Sequence, residues 1–336
     1  MRDIGVDLHK RNFQCCYLSD GRYRFCRYSL SELGEFKKGL KPTDRVALES
    51  TGNSRWFRNQ IKDLVGKVVV VNPKQFKVIS ESSRKTDRND SELLAFYLHK
   101  GMLPEVHMKD ELSSQIKSLC NTRDKLVKLR TALKNKIHNI LNAHGIISKR
   151  EDFSSENGLR KALSSPVNEV AKIELEVIVS EIRHLNEGIA RLDEEIKKKG
   201  KHLKGFANIT SIKGIGPKSG TILLSVIGDI DHFPSQKKLD SYFGIVPRVR
   251  NSSDRMHHGR ITKQGSKLGR TTLVQCTLIA LRYSPYLRDF YLRLKHKKGS
   301  GKAIIATSRK LLGIIYQTLK NDWVFEDFPN FVLKEV

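Results

Sequence analysis

The first hundred residues alternate short runs of period two with longer stretches of helical period. Ile4, Val6 and Leu8 occupy every second position, as a strand with one buried face requires, and parts of the run Phe13 to Leu18 do the same. Tyr23 to Tyr28 reads as a third strand after the turn at Asp20-Gly21. A helix is expected from about Ser31 to Gly39, a short buried strand at Val46 to Leu48, and a helix from about Asn53 to Leu64. Lys67 to Val71 contains four successive valines, the continuous apolar run of a buried strand. Further helical segments are expected from Lys74 and again from Asp90. The order β-β-β-α-β-α-β-α predicts an RNase H-like fold, three antiparallel strands followed by parallel ones with crossover helices.

The pattern then changes. Leu112, Ile116, Leu119, Leu126, Leu133, Ile137 and Ile140 fall on a heptad seam, with Arg123 and Arg130 at seam positions between them. A break rich in Ser, Asn and Gly follows around Ser148 to Pro166. Leu175, Ile178, Ile182, Leu185, Ile189, Leu192 and Ile196 then alternate spacings of three and four, a coiled-coil pattern. Two long helices joined by a bend give an antiparallel hairpin or a dimerisation arm; an ordinary helical bundle is the alternative. Beyond residue 204, Ile212-Lys213-Gly214-Ile215-Gly216-Pro217 resembles the turn of a helix-hairpin-helix, where glycines let backbone N–H groups approach a phosphate. Helices are expected at Lys218 to Ile227, Gln236 to Phe243, Lys267 to Arg282, Pro285 to Lys295 and Lys302 to Leu319. The stretch Arg248 to Gly265 is too polar for core and is expected as a loop. The fold class is therefore α/β plus α, with an RNase H-like domain at 1–107, a coiled-coil arm at 108–203 and a mainly helical domain at 204–336.

Charge narrows the partners. Lys and Arg number 62 against 36 Asp and Glu, a formal net charge of +26, and such self-repulsion calls for a polyanion. Nucleic acid is the first candidate, a ribosome-like basic protein the bland one. No run approaches the length of a membrane span, and the basic residues form no single amphipathic helix, so a membrane partner is not expected. The N-terminus shows no apolar signal region, which makes a cytoplasmic, nucleoid-associated protein the expectation. Five cysteines, an odd number without a C-x-x-C pair, argue against zinc or a disulfide framework.

Four acids stand where chemistry could use them. Asp7 closes the first strand and Glu49 a later buried one, while Asp87 and Asp90 lie three apart, on one side of a helix or helix start. A carboxylate among apolar neighbours needs a partner. Four of them together would repel one another unless a divalent cation sat among them, Mg²⁺ or Mn²⁺ by the oxygen chemistry. Such ions support phosphodiester cleavage. Taken singly, each acid also has a plain reading as a strand end, a helix cap or an ion-pair partner.

Gly5-Val6-Asp7-Leu8-His9-Lys10, Leu48-Glu49-Ser50-Thr51-Gly52 and Lys85-Thr86-Asp87-Arg88-Asn89-Asp90 resemble the DEDD motifs of the IS110 transposase family, which includes the Piv and MooV DNA invertases. The resemblance continues through Gly214-Ile215-Gly216-Pro217, Phe243-Gly244-Ile245-Val246-Pro247 and His258-Gly259-Arg260-Ile261-Thr262-Lys263-Gln264-Gly265. It implies a RuvC-like domain whose metal-binding acids are Asp7, Glu49, Asp87 and Asp90, a coiled-coil arm, and a C-terminal domain with a serine that links covalently to DNA. It also implies a structured noncoding bridge RNA that pairs with donor and target DNA. The serine's distance from Pro247 and from Gly259 points to Ser252; Ser253 follows where family members usually have glycine, so it stays as the alternative. Arg248, Arg250, Arg255, His257, His258, Arg260 and Lys263 surround that serine and suit a phosphate. Lys297 and Lys298 read as a backbone clamp or as a solvated loop. A homo-oligomer, dimer or tetramer, is expected. Two other readings remain open: a RuvC-like Holliday-junction endonuclease without a covalent serine step, and a basic scaffold that only binds nucleic acid.

Overall fold

A computed structural model describes residues 1–73, 75–76, 86–149, 151–252 and 255–325. The chain packs as two compact units, Met1–Met108 and a second that starts at Lys109.

The first unit is built on a five-stranded sheet. β1 (Asp3–Leu8), β2 (Asn12–Ser19) and β3 (Arg22–Ser29) are followed by the short helix α1 (Leu33–Lys38), β4 (Arg45–Glu49), α2 (Ser54–Ile61), β5 (Lys67–Val71) and α3 (Asp87–His99). The spatial order is β3-β2-β1-β4-β5. β1 pairs antiparallel with β2 and parallel with β4, and β5 continues the parallel half. Asp20 and Gly21 both take positive φ, 51° and 73°, as a two-residue turn needs when it must match the strands' twist.

Alternation sorts the strand side chains. Ile4, Val6, Leu8, Phe13, Val46 and Leu48 form one buried cluster with Phe36 of α1 and Phe57 of α2. Ala47, Val69 and Val71 pack with Leu94 and Leu98 of α3 on the other face. The helix expected from Lys74 falls largely outside the described residues. The one expected from Asp90 starts a turn earlier, at Asp87, because Thr86 accepts the Asn89 N–H at 3.1 Å and caps it.

In the second unit, α4 (Glu111–Ala143) and α6 (Glu169–Gly200) pack against each other, each about 50 Å long at helical rise. Arg123 bonds Asp193, Arg130 bonds Asn186 and Lys136 pairs with Glu174, so the two helices run antiparallel. Ile137, Ile140, Leu175, Ile178 and Ile182 are buried in one cluster, so this half of the heptad seams is covered within the chain. The expected break between them contains a helix, α5 (Glu156–Leu163), whose Leu159 and Ala162 join that cluster. Its start is a cap: the Ser155 hydroxyl accepts the Gly158 N–H at 3.2 Å.

Ile116, Cys120 and Ile196, near the other end of the hairpin, share a core with the helices that follow, so the expected boundary at 203/204 lies inside this unit. Those helices are α7 (Phe206–Ser211), α8 (Pro217–Ile227), α9 (Gln236–Phe243), α10 (Lys267–Ala280), α11 (Pro285–Lys298) and α12 (Ser300–Lys320). The stretch expected as a polar loop is a β-hairpin, β6 (Pro247–Ser252) and β7 (Arg255–Ile261). No helix among the described residues is long and apolar enough to cross a membrane.

Candidate metal centre and nucleic-acid interface

On β1, the face opposite Ile4, Val6 and Leu8 carries Asp3, Gly5 and Asp7, and α3 lies along it. Contacts at three levels set the helix against the strand. At the strand's start, buried Asp3 accepts from Arg45 Nε at 2.7 Å and Arg45 Nη2 at 2.9 Å, and pairs with His99 Nδ1 of α3 at 2.9 Å. In the middle, a Cβ on Gly5 would stand 2.0 Å from the Ser91 carbonyl oxygen and 2.5 Å from the Ala95 nitrogen, so only glycine admits the helix this closely. At the strand's end, the first turn of α3 meets Asp7.

There the carboxylates converge. His9 Nε2 lies 3.0 Å from Asp7 Oδ2 and 3.3 Å from Asp87 Oδ1, so one imidazole stands between two predicted acids. One ligand atom from each of Asp7, His9 and Asp87 falls within 4.8 Å of the other two, a set that fits a cation. Burial raises the Asp7 carboxyl above the usual carboxylate range; His9 pulls it down and Asp87 pushes it up. Arg27 of β3 approaches Asp87 Oδ2 at 3.8 Å.

Glu49 and Asp90 stand outside that three-residue set. Glu49 ends β4, two residues past Ala47 on the face that α3 covers, and is half-buried. Asp90 follows Asp87 by three residues, on the same side of the helix, with Oδ1 closed off from solvent. The first acidic motif also carries His9, a ligand type that the four-acid expectation leaves out. The signal was available, because residues i and i+2 of an extended segment share a face.

The C-terminal candidates are carried differently. Ser252 is the last residue of β6 and its strand partner is Arg255; Ser253 lies outside the described residues. Arg250 pairs with His257 across the hairpin. Arg248, Arg260 and Lys263 are exposed. The base of the hairpin is a clasp. Gly244 and Gly265 both have positive φ, and a Cβ on either would come within 2.1 Å of a backbone oxygen, of Gln264 and Tyr242 respectively. Arg270 Nη1 donates to the carbonyls of Phe243 at 3.1 Å and Gln264 at 3.0 Å, tying both ends to α10. Two of the sequence motifs are thus the two halves of one closure.

Lys297 and Lys298 lie in the last turn of α11 rather than in a loop, where cations favour the helix dipole. In the helix-hairpin-helix-like turn, Gly214 has φ 103° and a Cβ there would sit 2.8 Å from the Ala280 nitrogen. Its glycine is therefore explained by helix packing rather than by phosphate approach. Gly216 is open and caps α8.

Comparison with known proteins covers both sites. Residues 4–146 match a DEDD transposase domain of the IS110 type, and residues 207–292 match the transposase IS116/IS110/IS902 family. Both matched regions are transposase domains of the IS110/IS116/IS902 family. It is 25% identical over 95% of its length to a probable family 20 transposase of Pseudomonas aeruginosa, covering 97% of that protein. It is 27% identical to the transposase for insertion sequence element IS1111A of Coxiella burnetii, over 95% of this chain and 90% of the relative. A pilin gene-inverting protein of Moraxella lacunata is likewise 27% identical, over 96% of this chain and 97% of its own. Transposases of this family act by cleaving and transferring DNA strands, which sets aside the reading as a purely structural scaffold.

Proposed function

We propose that the chain is an RNA-guided DNA recombinase in which a divalent-metal centre on an RNase H-like domain and a serine on the C-terminal hairpin both serve strand exchange. The observation that carries the metal half is the meeting of Asp7 from β1 and Asp87 from α3 around His9. The sheet order β3-β2-β1-β4-β5, with acids at strand and helix ends on one face, supports the RNase H-like reading. Asp7 and Asp87 would hold the ion, with Glu49 and Asp90 as the remaining acids of that face. A cation bound there supplies charge neutralisation at the phosphate, Mg²⁺ or Mn²⁺ being the expected ions.

This chain's own residues do the rest. Gly5 fixes the separation of helix and strand, and so the spacing of the two carboxylates. Arg248, Arg260 and Lys263 offer exposed cations to backbone phosphates, in line with the net charge of +26. Ser252, or Ser253 as the alternative, is assigned as the nucleophile. Its Oγ forms a bond to phosphorus while a P–O bond of the DNA backbone breaks, and the serine proton passes by way of a base or water to the leaving oxygen, so that the cut end leaves as a hydroxyl. The three parts then correspond to catalytic acids at 1–107, an arm at 108–203 and the serine domain at 204–336. The partners are donor and target DNA with a structured noncoding RNA, in a homo-oligomer.

The test is strand transfer on the element's own DNA ends with divalent metal present, read together with a search for protein–DNA adducts and sequencing of copurified RNA. Transfer with an adduct and a discrete RNA is expected. Metal-dependent cutting without an adduct would favour the junction-endonuclease reading instead.

A further inference from the structure

His9 has a position that the four-acid reading leaves unused. We propose that His9 is a metal ligand in its own right, and that its nitrogen tunes the Asp7–Asp87 site toward first-row transition ions over Mg²⁺. The inference deepens the metal-centre reading above and rests on it.

Three observations support it. The ring nitrogen lies 3.0 Å from Asp7 Oδ2 and 3.3 Å from Asp87 Oδ1, spacings that neighbouring ligands on one ion can adopt. Ligands on one ion of this size stand between roughly 3 Å (adjacent) and roughly 4.2 Å (opposite) apart, and both measured spacings fall in that range. The backbone at His9 is also held. Its N–H donates to the Asn12 carbonyl at 2.9 Å, and its carbonyl accepts from Asn53 Nδ2 at 2.9 Å. Asn53 in turn accepts from the Thr51 hydroxyl at 3.0 Å, so the segment following Glu49 braces the segment following Asp7. Finally, the ring is half exposed, with 48% of its side-chain surface open, which leaves room for water or a phosphate oxygen to complete a coordination shell.

The chemistry of the donors gives the selectivity. Mg²⁺ takes oxygen ligands and keeps its waters, whereas imidazole suits later first-row ions, whose affinities rise from Mn²⁺ toward Cu²⁺. Two carboxylates with one imidazole therefore favour an ion such as Co²⁺ more than carboxylates alone would. The competing account is that His9 only bridges the acids as an imidazolium, and it predicts no nitrogen on the metal.

The experiment uses the full chain and needs no turnover. Co²⁺ and Mg²⁺ affinities are measured by calorimetry for wild type, His9→Ala, His9→Asp and Asp7→Asn. The Mn²⁺-loaded protein is examined by pulsed electron paramagnetic resonance for ¹⁴N modulation. Wild type should bind Co²⁺ more tightly than Mg²⁺ and show the nitrogen signal. His9→Ala should lose that signal and weaken Co²⁺ at least about 10-fold, the lower range for losing even an outer partner of a metal ligand, with little change for Mg²⁺. His9→Asp, which replaces nitrogen by oxygen, should shift the preference toward Mg²⁺. An unchanged Co²⁺-to-Mg²⁺ ratio in both His9 variants, or a nitrogen signal that survives in them, overturns the inference while leaving the acids in place. Wild-type metal affinity in Asp7→Asn would instead overturn the metal centre itself.

Discussion

The end of the central strand at Asp7 is anionic and half-buried, and it is held by backbone packed on backbone; the hairpin whose first strand ends at Ser252 is rich in cations and is held at its base. At the first, a helix is pressed so close to a strand that a methyl group would not fit at Gly5, and the acids inherit their spacing from that contact. At the second, two glycines and the Arg270 side chain close the base of a β-hairpin. The difference follows from the work proposed for each. Carboxylates that share a cation need separations fixed to a fraction of an ångström, and a desolvated scaffold provides that. Phosphate binding is spread over many long cationic side chains and tolerates a looser support.

The sharpest way to break the contrast is Gly5→Ala. The new methyl has no room against Ser91 and Ala95, so α3 must move off the sheet. We expect a loss of about 3 kcal/mol, at the upper end for overpacking, together with loss of strand transfer. A melting temperature and activity like those of wild type would show that the helix–strand approach does not set the site. Ser252→Ala, which removes only a hydroxyl at the end of β6, should leave the fold intact and should remove the covalent protein–DNA adduct. An adduct lost only in Ser253→Ala would move the nucleophile by one residue, and one that survives the double change would end the serine assignment.

Arg270→Ala tests the clasp. Removing a charged donor shared by two carbonyls should cost about 2 kcal/mol in thermal or urea unfolding and weaken DNA binding in a gel-shift assay. Metal affinity at the other site should not change, and a parallel loss of metal binding would contradict the independence of the two supports. The smallest effect is expected at Asp193. Burial works against its charged form, but hydrogen bonds from Arg123 and Lys218 outweigh it and hold the carboxyl below its usual value. A lowered folded pKa gives stability that is present above the unfolded value of about 3.9 and is lost as pH falls through the folded one. Asp193→Asn should therefore lower stability modestly at neutral pH, flatten the acid limb of the unfolding curve and converge on wild type once the pH falls below the folded pKa.

Much of the sheet unit was readable because burial writes a period into sequence. Ile4, Val6 and Leu8 alternate since one face meets α1 and α2, and the valines of β5 run on since both faces are covered. The β6–β7 hairpin gave no such sign. Arg248 and Val249, neighbours on one strand, are both exposed, so no buried face imposes alternation, and the stretch looked like a loop. α5 was hidden by its Ser- and Asn-rich surroundings, although Ser155 caps it. At the candidate metal centre the acids were visible as motif residues. The role of Gly5 and the position of His9 depend on how α3 crosses β1, through contacts between residues roughly eighty to ninety positions apart that local pattern does not carry.

The central claim is that Asp7 and Asp87 hold a divalent cation that strand transfer requires. The most direct test is to measure, on one preparation of Asp7→Asn, metal affinity by calorimetry, DNA binding by gel shift and strand transfer on the element's ends. We predict that metal affinity and transfer fall together to background while DNA binding stays at the wild-type level. Strand transfer at the wild-type rate in Asp7→Asn would contradict the account.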